Sequence, residues 1–186
     1  MSIEVGVLVG VDGRPRYWHT PKGASAVELP DSPTLWDAIW QHRKVLHGFA
    51  HTHPGHGVPS PSGTDLTTFA AIEAALGTRL TWWILTQDEA ITLHWDSTMG
   101  KYVTTAAGSI GGRWVRTLRE MSSSGEDVET IENKQLADML RQQLMRLAPE
   151  KRIQVLGGMN FCLVCGEDLR SADSSSVRIC YCTRDE

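Results

Sequence analysis

Apolar and polar positions follow two different periods along this chain, and the switches between them mark out strands and helices. Glu4 to Val11 is rich in Val and Leu, and the turn Val11-Asp12-Gly13-Arg14 leads into Pro15 to His19, so the opening predicts a β-hairpin whose first strand is central. After a loop from Pro21 to Pro33 that holds Lys22 and Gly23, Thr34 to Arg43 sets Leu35, Trp36, Ile39 and Trp40 at helical spacing. Lys44 to Ala50 returns to a strand pattern, and the polar, Gly- and Pro-laden run from His51 to Gly63 predicts a loop at that strand's end. Asp65 to Leu76 places Leu66, Phe69, Ala70, Ile72 and Leu76 on a helical pattern, with Ser62 able to cap its start and Gly77 its end. Two further strands are predicted at Arg79 to Thr86 and Ala90 to Trp95, joined through Gln87-Asp88-Glu89. The adjacent Trp82 and Trp83 must then face opposite sides of their strand. These elements together predict a mixed α/β sandwich or sheet.

Beyond Ala107 the pattern weakens through Gly108, Gly111 and Gly112, and Ser122-Ser123-Ser124-Gly125 reads as a linker before a helix from about Glu126 to Leu147. Val128, Ile131, Leu136, Met139, Leu140, Leu144 and Leu147 lie broadly along one face of that helix, which therefore needs a partner surface. Packing on the body and homodimerisation through this helix are both open. The expected organisation is a catalytic domain over residues 1–110, a linker and amphipathic helix over 111–150, and a small cysteine module over 151–186.

Composition narrows the class further. Apolar residues make up 41% and charged residues 22% of the 186 positions, which suits a soluble globular chain rather than a disordered or fibrous one. The net charge of -4, with basic residues scattered, counts against nucleic acid as a partner and against a DNA-linked or nuclease role. No apolar stretch approaches the roughly 20 residues of a membrane span, and MSIEVGVLVG lacks a basic segment ahead of its short apolar run, so a cytoplasmic location away from the membrane is expected.

The candidate chemistry concentrates around one loop. His51 and His53 are separated by one residue at the end of a strand, where residues two apart project to the same side and can offer two imidazole nitrogens to one ion. Asp65, at the start of the next helix, completes three protein ligands. Two histidines and one carboxylate around Zn²⁺ leave a fourth position for water, the arrangement of a hydrolytic site. Taken singly the features have plainer uses, since Ser62 with Asp65 could form only a capping box. His56, in the same loop, reads as a solvent-exposed residue, and His19, His42, His47 and His94 belong to no motif.

The run HTHPGHGVPSPSGTD at 51–65, with the lead-in VLHGFA at 45–50, resembles the His-x-His-Pro…Ser-x-x-Asp signature of JAMM (MPN+) zinc metalloproteases, which include deubiquitinases and bacterial isopeptidases. The resemblance covers roughly the first 110 residues. Eight residues separate His53 from Ser62, one more than is usual in the family. It implies a cytidine-deaminase-like mixed-sheet domain, a catalytic zinc on His51, His53 and Asp65, and a serine that stabilises the oxyanion. Ser62 keeps the Ser-x-x-Asp spacing, which Ser60 would break. The family's general base is a glutamate on an early strand, and Glu4-Val5-Gly6-Val7-Leu8-Val9-Gly10 matches its pattern, with Glu28 as the competitor for that role. The family's helix before this glutamate is unmatched in the three residues preceding Glu4, which implies either a trimmed edge or a later helix in its place. By the same resemblance the reaction is hydrolysis of a peptide or isopeptide bond after the tail of a ubiquitin-like or sulfur-carrier-like protein, with activating or conjugating enzymes as further partners. The alternative is a non-catalytic scaffold that recruits a protein partner.

Cys162, Cys165, Cys180 and Cys182 all fall in the last 25 residues. Cys-x-x-Cys-Gly followed by Cys-x-Cys suggests a small ribbon closed by a second, structural zinc on four thiolates, with redox thiols as the competing reading.

Overall fold

A computed structural model of the chain describes residues 2–105 and 113–146. Its elements, in chain order, are β1 (Gly6–Gly10), β2 (Pro15–His19), α1 (Pro33–His42), β3 (Leu46–Thr52), α2 (Gly63–Leu76), β4 (Thr81–Leu85), β5 (Ala90–Asp96), β6 (Lys101–Thr105), α3 (Arg113–Ser124) and α4 (Val128–Met145). The strands form one six-stranded mixed sheet in the order β2-β1-β3-β4-β5-β6. β3 and β4 run parallel, with α2 as their crossover, and every other neighbouring pair is antiparallel. The expected mixed α/β class is thus the observed one.

Alternation along the strands assigns each side chain to one of two cores. Leu8, Phe49, Trp82 and Ile84 point to the face covered by Leu35 and Ile39 of α1 and Phe69 and Ile72 of α2. Val7, Val9, Ala50, Trp83 and Leu85 point to the other face, under Trp114, Val115, Leu118 and Met121 of α3. Trp82 and Trp83 accordingly lie on opposite sides, the first stacked on Phe69 at 4.1 Å and the second tilted against Trp114 at 5.6 Å. Gly6 has its own reason on the first face. A Cβ there would overlap the Phe49 ring, so only glycine lets Phe49 lie flat over β1.

Several boundaries differ from the sequence expectation. β1 begins at Gly6, leaving Glu4 just ahead of the strand, and β3 continues through His51 to Thr52 instead of ending at Ala50. Backbone pairing overrides the polarity of the His-Thr-His segment, since Gly6 on one side and Ile84 on the other both pair with His51. β6 was not expected, because its exposed Lys101, Thr104 and Thr105 belong to an edge strand with one side open. Ser122, Ser123 and Ser124, expected as linker, form the last turn of α3, where burial of Trp114, Leu118 and Met121 outweighs the weak helical preference of serine. α3 also supplies a later helix on the sheet face beside Glu4.

The compact unit containing the sheet runs from Met1 to Ile131, further than the expected boundary at residue 110, and includes α3 and the opening of α4. Val128 and Ile131 pack into the second core. A second unit starts at Glu132. Leu147 and the cysteine module over 151–186 lie outside the described residues. Among the described residues no helix is long and apolar enough to cross a membrane.

One buried charge fastens α2 to the sheet. Glu73 sits on the apolar face of α2, 3% exposed, and accepts hydrogen bonds from Leu80 N, Trp82 Nε1 and Tyr102 Oη at 2.8–3.0 Å. Arg79 pairs with the same carboxylate and lies over Trp95. Glu73→Ala would leave the Leu80 and Trp82 donors without their acceptor, at a cost of about 2–4 kcal/mol. Urea unfolding reads this directly, and a loss below about 1 kcal/mol would show that the network adds little.

Candidate metal centre

The local sequence builds the site from a strand end and a helix start. β3 presents His51 on the face shared by Phe49, and His53 follows two residues on, its backbone N–H donating to Leu85 O at 2.8 Å. His51 is 3% exposed, between Phe49 and Phe69, each ring centroid 6.2 Å away. Ser62 is the N-cap of α2. Its Oγ accepts from Asp65 N at 3.1 Å while Asp65 Oδ2 accepts from Ser62 N at 2.6 Å, a reciprocal capping box. This cap orients Asp65, whose Oδ1 is left facing His51. The hydroxyl of Ser62 uses a lone pair for the cap and keeps its own proton available to donate.

His51, His53 and Asp65 meet at short range. His51 Nε2 lies 3.1 Å from His53 Nε2 and 3.1 Å from Asp65 Oδ1, and His53 Nε2 lies 3.4 Å from Asp65 Oδ2. Ligands held at about 2.0–2.1 Å around a tetrahedral ion stand about 3.4 Å apart. The three side chains therefore have the chemistry and the spacing to hold a metal ion.

Glu4 reaches the same place from another part of the chain. The Gly6–His51 pairing brings the start of β1 beside the His-bearing end of β3, and the residues flanking Glu4 are both fixed. Val5 N donates to Thr52 Oγ1 at 3.0 Å and Thr52 N donates to Val5 O at 2.9 Å. Ile3 exchanges hydrogen bonds with Ser122 of α3, and Glu4 N donates to Ser25 O at 2.7 Å. Glu4 is 9% exposed and lines a cavity of about 750 Å³ together with His51, His53, Ser62 and Asp65. Glu28 lines that cavity too, from the exposed loop before α1, whereas Ser60 does not. Leu35, Ile39, Phe69 and Trp82 form an apolar wall.

The charges in this cavity bias one another. Burial pushes the Glu4 carboxyl above its ordinary value, which His53 partly offsets and Asp65 and Glu28 reinforce. Burial opposes ionisation of Asp65 as well, but hydrogen bonds from His51 and His53 outweigh it and hold that carboxyl well below the usual range. Burial dominates at His51 and lowers it, Asp65 only partly compensating. At His53 burial is the largest single influence, yet the bond to Asp65 and the charges of Asp65 and Glu4 together raise the ring.

A pH signature follows from that split. His51 is held below 6.5 and His53 above it, so a metal binding near that pH displaces one imidazole proton, not two. The apparent Zn²⁺ affinity is expected to rise about tenfold per pH unit through this window, as measured by chelator competition. A hundredfold rise per unit would mean that both rings carry protons.

Other histidines remain outside the group. His56 is exposed, with Nδ1 3.6 Å from Asp88 Oδ2. His19 lines the cavity, and its Nε2 bonds to Pro30 O at 2.8 Å, tying down the loop that carries Glu28. Thr52 belongs to no motif, although strict alternation implies that it faces away from both histidines and toward the other core. Ser122 and Glu73 also belong to no motif. Glu73 left one trace, a charge on the apolar stripe of α2 alongside Leu66, Phe69 and Leu76. Cys162, Cys165, Cys180 and Cys182 lie outside the described residues.

No protein-family model matches the chain, and comparison with curated proteins finds no significant match. The fold and the site define a mixed α/β domain with a His-His-Asp group able to hold a metal ion.

Proposed function

We propose that this chain is a JAMM-type zinc metalloprotease that hydrolyses a peptide or isopeptide bond after the C-terminal tail of a ubiquitin-like or sulfur-carrier-like protein. The observation that carries the reading is the convergence of Glu4 on the cavity where His51, His53 and Asp65 stand at tetrahedral ligand spacing. A structural zinc site has no need of a fourth, non-ligating carboxylate beside it. The Ser-x-x-Asp capping box adds support, because it fixes a ligand and leaves a serine proton at the cavity edge.

His51, His53 and Asp65 would hold the ion. Zinc supplies Lewis acidity, lowering the pKa of water and polarising a carbonyl oxygen. Glu4 accepts a proton from the attacking water as the new carbon–oxygen bond forms. The Ser62 hydroxyl donates to the carbonyl oxygen while negative charge develops on it. Glu4 then delivers its proton to the departing nitrogen as the carbon–nitrogen bond breaks, which restores the carboxylate. The apolar wall of Leu35, Ile39 and Trp82 limits water around these transfers.

Elemental analysis of the full chain and its His53→Ala variant tests the metal, and cleavage of fusions bearing ubiquitin-like tails tests the chemistry. One zinc fewer in the variant, with cleavage by the parent alone, is the expected result. Equal zinc content would remove the His-His-Asp group as a metal site, and bound zinc without cleavage of any fusion would favour a partner-recruiting scaffold. A second ion retained by both proteins would fit the cysteine module.

A further inference from the structure

The catalytic reading uses groups just ahead of β1, at the end of β3 and at the start of α2, yet the segments delivering two of them are both tied to one helix on the opposite side of the sheet. Ile3 N donates to Ser122 O at 2.9 Å, and Ser122 Oγ donates to Ile3 O at 2.7 Å, fixing the residue before Glu4. Ser122 is fully buried. One turn earlier, Arg119 spreads its guanidinium over the β4–β5 turn, with Nε donating to Thr86 O at 2.8 Å and Nη2 to Glu89 O at 2.9 Å.

That turn in turn holds the loop leaving His53. Thr86 Oγ1 donates to Gly57 O at 2.7 Å, Gly57 N donates to Asp88 Oδ1 at 2.9 Å, and Gln87 N donates to Gly55 O at 3.0 Å. His53 itself is bonded to Leu85 O, next to Thr86. Residues three apart share one face of a helix, so Arg119 and Ser122 act from a single surface of α3. α3 has its own anchor in Trp114, Leu118 and Met121, which lets the two polar contacts serve placement while apolar burial supplies the cohesion.

We propose that α3 is a brace for the site, with Arg119 and Ser122 as positioning residues that set the placement of His53 and its loop, and of Glu4, respectively. The proposal rests on the hydrolase reading for the consequence at Glu4, but its geometric content does not. Arginine suits the task because a planar fork can span two carbonyls, whereas a lysine ammonium is a single flexible point.

The test is amide hydrogen exchange on the full chain and on Arg119→Met and Ser122→Ala, accompanied by steady-state kinetics. Arg119→Met is expected to speed exchange at His53, Gly57 and Gln87 at least about tenfold, and Ser122→Ala to do the same at Glu4 and Val5, while Val9 and Trp83 in the cores stay as protected as before. Arg119→Lys should recover only part of the protection. In the active enzyme, Ser122→Ala should lower kcat about tenfold at unchanged KM and unchanged zinc content, since a small displacement of a base costs rate rather than binding. Unchanged exchange at the site amides, or acceleration spread equally over the core amides, would overturn the brace. Local acceleration in the variants of a parent protein that itself cleaves nothing would uphold the brace and count only against the hydrolase reading.

Discussion

Asp65→Asn is expected to abolish hydrolysis and to weaken zinc binding by more than about a hundredfold. Residues that merely orient ligands already cost 10- to 100-fold in affinity when changed, and a ligand itself costs more. Asp65 is also the N3 residue of the α2 capping box, so truncation to Ala would mix two effects. Asparagine separates them. Its amide oxygen can still accept from Ser62 N, which preserves much of a cap whose loss is typically worth about 1 kcal/mol. What it lacks is the charge that, with the hydrogen bond it makes, holds His53 above its ordinary value against burial. Chelator competition with Zn²⁺, run beside a thermal melt, gives both quantities. A variant that keeps its stability but loses zinc places Asp65 in the metal site, and one that keeps zinc at parental affinity excludes it.

Glu4→Gln is the second large effect. A general base contributes about 10²–10⁴-fold to rate, so turnover should fall by that factor with zinc content unchanged, because Glu4 is not among the grouped ligands. Stability should move the other way. Burial raises the Glu4 pKa in the folded chain, so the folded state favours the protonated carboxyl and loses stability as pH rises through the folded value. The neutral glutamine escapes that loss, and the metal-free variant should melt at an equal or higher temperature than the metal-free parent at pH 7. A melt well below the parent would show that the Glu4 charge holds the fold together instead of serving chemistry. Glu28→Gln, at the exposed rim of the same cavity, should change turnover only several-fold.

The distinction between Glu4 and Glu28 illustrates what a motif leaves undecided. Sequence places one in an early strand and the other in a loop, and both end up lining one cavity. Burial and strand register separate them. Gly6 opposite His51 aligns Glu4 with the face that carries His51, while Glu28 remains exposed in a loop held through Ser25 and His19.

Local chemistry was legible in the amino-acid order. The one-residue spacing of His51 and His53 implied a common face, and Ser62 three residues before Asp65 implied a helix start, because strand alternation and helix capping act over only a few residues. The existence of α1 and α2 and the opposite facing of Trp82 and Trp83 were determined in the same way, although Trp36 and Trp40 of the α1 pattern are exposed. Contacts between distant segments were decided only by the tertiary structure. Nothing local marks Ser122 as the partner of Ile3, Arg119 as the clamp on the β4–β5 turn, or Trp82 and Tyr102 as the donors to Glu73. Serine is a weak helix former and reads as linker until Leu118 and Met121 find the sheet. Local preferences are worth a few tenths of a kcal/mol per residue, whereas burying a large apolar side chain is worth about 1.5–3 kcal/mol, so the packing of α3 on the sheet prevailed over what its own sequence suggested.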